Sequence, residues 1–322
     1  MSAAPATTGR EGLAALSVPA SGLDLDLTLQ SGQVFHWQRE GPGWVGALGN
    51  APVYLEAGGG EVRVPEGMET EVGRYLALDH DLEAIAATFP KDSAMEEALG
   101  FSQGMRILRQ PVWECLATFI TSSMKQVSHI AQMSHAIRRR FGRRLEWGGR
   151  EFYAYPGADR LAGAQEAELR ECGLGYRAAN LLKTAQRVAG GQADLEGYAR
   201  LGDEDLRKAL CDLPGVGEKV ANCVLLFGYG RLGAVPVDVW IGRILREVYF
   251  KGKRAPTAAR MKQFAATYFG PYAGYAQQYL FHHARQTWRR GLAQTKSGGK
   301  GSLKKGGRKV QEPSPSGGGS KP

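Results

Sequence analysis

Leucines occupy every second position from Leu23 to Leu29, with Asp24, Asp26 and Thr28 between them. A two-residue period is that of a half-buried strand, so a strand is predicted here, ended by Ser31-Gly32. Short strand-like runs follow at 34–38, 44–48, 53–56 and 61–64, punctuated by Gly, Pro and Asn. Together they predict an antiparallel sheet of about five strands. After about residue 70 the period lengthens, and segments 70–77, 82–89, 113–123, 126–141, 165–172, 177–189, 204–211, 218–228, 239–249, 257–269 and 274–290 read as helices. Residues 1–19, rich in Ala, Ser, Thr and Gly, read as a loose terminus, and from Lys296 apolar residues almost vanish, which predicts disorder. The predicted class is α+β: a flexible 1–19, a small antiparallel β-rich domain over 20–104, an all-helical domain over 105–293, and a disordered basic tail over 294–322.

Composition narrows the function classes. A chain of 322 residues with 43% hydrophobic and 23% charged residues is that of an ordinary soluble globular protein. It has no apolar run of membrane-spanning length, and its start lacks the basic and apolar regions of a secretory signal. The net charge of +9 suggests a nucleic-acid partner, but residues 296–322 hold seven Lys or Arg and one Glu. The rest of the chain, with 34 basic and 31 acidic residues, carries only +3, so charge alone says little about the folded part. Cys115, Cys172, Cys211 and Cys223 form no CxxC pair and no compact cluster, which argues against an iron–sulfur centre. They read as free thiols in a reducing compartment: cytoplasm or nucleoid in a bacterium, nucleus in a eukaryote.

The most informative stretch runs from Leu210 to Phe227. One helix ends near Cys211 and another begins near Glu218, joined by Leu213-Pro214-Gly215-Val216-Gly217. Gly215 and Gly217 let the turn expose successive amide N–H groups which, with the positive end of the next helix, make a phosphate site. This is a helix-hairpin-helix signature, which grips the DNA backbone without reading sequence. Lys219 opens the second helix, and Asp238 follows nineteen residues later in Val235-Pro236-Val237-Asp238. A lysine beside a helix N-terminus, in a buried setting, favours a neutral amine nucleophile, and a carboxylate nearby could stabilise a cationic sugar. Taken singly, Lys219 also reads as a solvated side chain, and Asp238 as the cap of the helix at 239–249.

Leu213-Pro-Gly-Val-Gly-x-Lys-x-Ala221 followed by Val-Pro-Val-Asp238 resembles the helix-hairpin-helix base-excision DNA glycosylases, over roughly residues 20–290 and with most likeness to the 8-oxoguanine DNA glycosylases. The resemblance implies that Lys219 attacks C1′ of the damaged nucleotide and forms an imine, that Asp238 assists, and that the enzyme also nicks the strand. It implies that the Gly32 carbonyl accepts the N7–H that only the oxidised purine carries, and that Gln277 bonds the flipped base while Phe281 and Cys223 flank its two faces. Tyr176 would wedge the duplex and Arg177 would bond the orphaned base. The chain departs from the eukaryotic pattern at Ser122-Ser123-Met124-Lys125-Gln126, where Met124 replaces an asparagine, and at His129, which replaces a base-reading arginine. Trp240 replaces a phosphate-contacting histidine. These changes predict a weaker preference for cytosine opposite the lesion.

The resemblance also implies a monovalent cation on the carbonyls of Cys211, Leu213 and Val216, no required cofactor, and a monomer acting on damaged double-stranded DNA. Arg138, Arg139, Arg140, Arg143 and Arg144 form a basic cluster that either approaches phosphates or is a solvated helix end. Competing functions are a glycosylase for alkylated or other damaged bases, which would not need Lys219, and a non-catalytic DNA-binding module.

Overall fold

The structure, a computed structural model, describes residues 12–20, 22–123, 125–250, 252 and 256–298. The chain divides into two compact units between Arg285 and Gln286. The described part of the second is the end of one helix. Met124 and most of the N-terminal and basic tails fall outside the described residues.

Five strands form one antiparallel sheet: β1 (Leu13–Ser17), β2 (Gln38–Glu40), β3 (Gly43–Leu48), β4 (Ala51–Gly58) and β5 (Glu61–Pro65). Their order is β1-β5-β4-β3-β2, with Trp44 opposite Leu55 and Ala57 opposite Val62. Runs 44–48, 53–56 and 61–64 lie in strands as predicted. The leucine alternation at 23–29 does not: Leu25–Gln30 is helix α1. Asp24 caps it, accepting the Leu27 amide at 2.7 Å, and Leu25, Thr28 and Leu29 bury one face. Leucines two apart are also leucines four apart, and the capping aspartate decides between the two periods. The strand missing from that segment is β1, inside the stretch read as a loose terminus, where it pairs with β5 through Leu13 opposite Pro65. One face of the sheet and α1 bury Leu29, Trp37, Trp44, Val53, Leu55, Val62 and Val64 together.

The helical part follows: α2 (Glu69–Tyr75), α3 (Leu82–Ala87), α4 (Ser93–Phe101), α5 (Val112–Thr121), α6 (Val127–Phe141), α7 (Ala158–Ala162), α8 (Glu166–Leu169), α9 (Arg177–Ala189), α10 (Asp203–Cys211), α11 (Glu218–Phe227), α12 (Val239–Ile244), α13 (Ala258–Tyr268) and α14 (Ala273–Gly298). α4 and α7, and a small hairpin of β6 (Arg144–Trp147) with β7 (Arg150–Tyr153), lie where no element was predicted. Trp147 stacks on Tyr54 of β4, with ring centroids 6.0 Å apart. α5 and α11 are apolar on nearly every side and therefore central, eight residues of each being buried. Phe119 and Phe227 stack between them at 5.6 Å.

The predicted boundary at 104/105 is a seam within one compact unit. The Ile107 amide donates to Tyr275 Oη at 3.1 Å, and Tyr279 Oη donates to the Met105 carbonyl at 3.0 Å. Arg106, fully buried, donates to the carbonyls of Gly22, Ala77 and His80. Burial disfavours its charged form, and this ring of carbonyls compensates. Among the described residues no helix is long and apolar enough to cross a membrane.

Candidate active site

The turn between α10 and α11 packs on α9. Leu206, Leu210, Leu213, Val216, Ala221 and Val224 are buried and fix the crossing of the two helices. Thr184 Oγ1 donates to the Pro214 carbonyl at 2.9 Å, and Arg187 to that of Asp212 at 2.8 Å. The two glycines have different reasons. Gly215 has φ +80°, and a Cβ there would sit 2.8 Å from Asn180 Cβ. Gly217 has φ −97° and ψ 177°, open to any residue, and a Cβ there would meet nothing within 4 Å. Its expected need for special backbone angles is therefore corrected: a side chain at 217 would be unstrained and would meet no other part of the protein. No side chain caps α11 at Gly217, which leaves the first-turn amides facing that space.

In the first turn of α11, Lys219 Nζ donates to Ser122 Oγ at 3.1 Å and lies 5.2 Å from the centre of the Phe119 ring. Cys223, one turn further along the same face, is buried. Burial pushes its thiol up to about 11 against the opposing pull of Lys219. Asp238 caps α12, accepting the Ile241 amide at 2.8 Å, so it does the capping that its position suggests. Burial also raises its carboxyl above the usual range, against the lowering effects of the Ile241 amide and Lys219. Lys219, Cys223 and Asp238 are thus one electrostatic cluster, assembled from two helices and steadied by the end of α5.

Gly32 and Phe281 also come together. Gly32 has φ +93°, and a Cβ there would lie 3.4 Å from Phe281 Cε1 and 3.5 Å from Val127 Cγ2. Gln277, one turn before Phe281 on α14, is only 4% exposed, and its Oε1 is buried without a hydrogen-bond partner. A phenylalanine and a glutamine four apart would ordinarily be core and surface respectively. Here the glutamine is the buried one and the phenylalanine is half-buried. An orphaned buried amide oxygen carries a free-energy penalty that a ligand donor would relieve.

The remaining predicted contacts lie at the starts of α6, α9 and α12. Tyr176 is 57% exposed, with the Arg177 guanidinium 4.3 Å from its ring centre. Arg177 itself is buried and turned inward, donating to the carbonyls of Ser123 and Leu174. It anchors the turn that carries Ser122, and bonding an orphaned base would exchange those bonds. His129 is exposed and lines a cleft of about 300 Å³ with Lys125, Gln132, Glu171 and Gly173. Trp240 is half-buried in the first turn of α12.

In the hairpin, the Leu213 carbonyl accepts the Val216 amide at 3.1 Å, which leaves it a second lone pair. Among the described residues no group of three His, Cys, Asp or Glu side chains could hold a metal ion, and all four cysteines are free thiols. Of the basic cluster, Arg138 is buried and paired with Glu114, whereas Arg140 is an exposed partner of Glu168 and Glu171. Sequence reasoning gave no role to Ser122, Phe119 or Arg285. A serine five residues before the start of α6 carries no local signal, and only the packing of α5 against α11 brings it to Lys219.

Comparison with known proteins bears on the whole arrangement. Residues 15–116 match the family described as 8-oxoguanine DNA glycosylase, N-terminal domain, and residues 117–269 match the HhH-GPD superfamily of base excision DNA repair proteins. A probable N-glycosylase/DNA lyase of Methanothermobacter thermautotrophicus is 32% identical, covering 84% of this chain and 96% of its own. An N-glycosylase/DNA lyase of Arabidopsis thaliana is 31% identical, covering 80% of this chain and 76% of its own. Among solved structures, an 8-oxoguanine glycosylase/lyase of Clostridium acetobutylicum, bound to duplex DNA with cytosine opposite 8-oxoguanine, superposes with a TM-score of 0.78. It is 30% identical and covers 82% of this chain and 92% of its own.

Proposed function

The chain belongs to the HhH-GPD superfamily of base excision DNA repair proteins, in its 8-oxoguanine glycosylase branch, and from that premise we propose that it is a bifunctional glycosylase and lyase for 8-oxoguanine in duplex DNA, with Lys219 as nucleophile. The observation that carries the assignment of Lys219 is its setting. The amine is oriented by Ser122 and faces Cys223 and Asp238, beside a hairpin whose open amides suit a phosphate.

In this reading the hairpin and Tyr176 hold a kinked duplex, and the lesion base leaves the stack for the pocket of Gly32, Gln277, Phe281 and Cys223. Gly32 comes from the β-rich part of the chain and the other three from the helical part, so the pocket forms at their seam. The free N7–H of the lesion meets the Gly32 carbonyl, where guanine would oppose a lone pair to it. Gln277 Oε1 gains the donor that it lacks here. The Lys219 lone pair forms a bond to C1′ while the C1′–N9 bond breaks, and the base leaves with that electron pair and takes up a proton. The Asp238 carboxylate stabilises the positive charge on the sugar. Loss of a proton from Nζ and opening of the sugar ring give an imine. Removal of a C2′ proton then expels the 3′ phosphate and cuts the strand.

The hairpin carbonyls of Cys211, Leu213 and Val216 would hold a monovalent cation that neutralises an approaching phosphate. With His129 and Met124 where base-reading groups are expected, discrimination among opposite bases is weak. The enzyme acts as a monomer wherever the genome is kept.

Sodium borohydride trapping on duplexes with 8-oxoguanine opposite each base tests the assignment. A covalent adduct that requires both the lesion and Lys219, lost in Lys219→Gln while binding persists, is the expected result. Adduct formation that survives Lys219→Gln would assign the amine elsewhere.

A further inference from the structure

Gly32 follows the last turn of α1, a helix with no basic residue of its own in that turn. A helix end leaves carbonyls without amide partners and carries partial negative charge. Here the donors arrive from α14, some 250 residues away in sequence. Arg285 Nη2 donates to the Gln30 carbonyl at 2.8 Å, and Gln278 Nε2 approaches the Ser31 carbonyl at 3.4 Å. Arg285 is 6% exposed, and its Nη1 lies 2.6 Å from where a Cβ on Gly32 would be. The same guanidinium sits 5.5 Å from the centre of the Phe281 ring, one turn back on α14. His282 stays neutral at physiological pH, its imidazole held down to about 4 by burial and by Arg285 itself.

On the other side of Gly32 the chain is already rigid. Gln33 is fully buried; its Nε2 donates to the carbonyls of Thr28 and Arg106, and its Oε1 accepts the Leu108 amide. Gln110 Nε2 donates to the Gln33 carbonyl at 2.7 Å. The peptide that follows Gly32 is therefore held from its C-terminal side by Gln33 and Gln110, and from its N-terminal side by Arg285.

We propose that Arg285 is a specificity-determining positioning residue, which holds the Gly32 carbonyl and the Phe281 ring in one fixed relation so that both meet an oxidised purine together. The inference rests on the base pocket proposed above. Arg285 touches no reacting atom in this role. It acts on the base reader and leaves the amine chemistry at Lys219 alone. A carbonyl that must repel a lone pair and accept an N–H discriminates only if it cannot swing aside.

The test compares wild type, Arg285→Met and Arg285→Lys in single-turnover excision of 8-oxoguanine and of guanine, both opposite cytosine. Borohydride trapping on a duplex with a preformed abasic site is run alongside, because that substrate has no base to read. The expected result for Arg285→Met is a fall of about tenfold in the preference for 8-oxoguanine over guanine, with abasic-site trapping unchanged and a lowered melting temperature from the loss of the donor to the Gln30 carbonyl. Arg285→Lys keeps the charge but not the fork, and should fall between the two. An unchanged preference in Arg285→Met, or equal losses on 8-oxoguanine and abasic DNA, overturns the proposal. If Arg285→Met does not fold, Arg285→Lys decides: a reduced preference at unchanged melting temperature supports the role, and a wild-type preference overturns it. Failure of the wild type to trap abasic DNA or to excise 8-oxoguanine would instead remove the functional reading beneath it.

Discussion

Ser122 Oγ accepts a hydrogen bond from Lys219 Nζ at 3.1 Å while donating its own hydrogen to the Phe119 carbonyl at 2.7 Å. The hydroxyl therefore has only lone pairs left to offer the amine, and it fixes one N–H direction. Ser122→Ala should slow borohydride trapping by up to about tenfold, the worth of one such bond. Ser122→Thr, which keeps the hydroxyl, should restore most of the rate. Equal rates in all three proteins, on both lesion and abasic duplexes, would make the contact incidental.

Asp238 combines a cap with a carboxyl whose ionisation is opposed by burial. A carboxyl raised in the folded state binds its proton more tightly there than in the unfolded chain. The stability that it contributes is present below its ordinary range and is lost as pH rises through the raised value. Asp238→Asn keeps a capping oxygen and removes the buried charge. Its melting temperature at neutral pH should equal or exceed that of wild type, and the difference should vanish in acid. The chemical step should slow by about 100-fold if the carboxylate stabilises the sugar cation. An unchanged single-turnover rate would reduce Asp238 to a helix cap.

The hairpin glycines separate folding from binding. Gly215→Ala meets Asn180 and an unfavourable φ, and should destabilise the fold by about 1–3 kcal/mol in urea unfolding. Gly217→Ala meets nothing and should change stability by less than about 1 kcal/mol. It should nonetheless weaken duplex binding, because the added methyl stands where a phosphate would approach the α11 amides. A destabilised Gly217→Ala that binds DNA normally would count against that approach.

The Cys223 thiol, raised to about 11, should stay protonated through neutral pH. Its contribution to stability is present below the ordinary thiol value and is lost as pH rises through about 11. With iodoacetamide at pH 8, the half-exposed Cys211 should label before Cys223, Cys115 or Cys172, all of which are buried. Early labelling of Cys223, read by peptide mass spectrometry, would mean an accessible thiolate in the pocket.

Much of this molecule was legible in its sequence, and the failures have physical causes. Helices with a buried stripe, such as α9, α10 and α13, declared themselves by period. The hairpin stood out because Gly215 and Lys219 lie within one short stretch, with Asp238 nineteen residues beyond the lysine. The leucines at 23–29 misled because alternation and helical spacing coincide there, and only the cap at Asp24 separates them. β1 was missed because a short edge strand rich in alanine shows no strand period of its own and takes its order from its partner β5. Ser122 and Arg285 carry no local pattern at all. Each matters through a contact made across the fold, by α5 against α11 in one case and by α14 against the end of α1 in the other.

Tyr176 and Arg177 adjoin in sequence but present opposite faces, and their substitutions should diverge accordingly. Tyr176 is largely exposed and contributes little to the core, so Tyr176→Ala should leave the melting temperature unchanged. It should weaken binding to lesion duplexes if the ring fills the gap left by the flipped base, and the loss should shrink on single-stranded DNA, where no gap forms. Arg177 is buried on the carbonyls of Ser123 and Leu174. Arg177→Ala orphans both carbonyls, so it should lower the melting temperature and also slow trapping, because Ser122 sits beside Ser123. If Arg177 additionally reads the opposite base, its loss should flatten whatever preference for cytosine the wild type shows. Lower stability with the opposite-base profile intact would leave Arg177 as the anchor of the Ser122 turn alone.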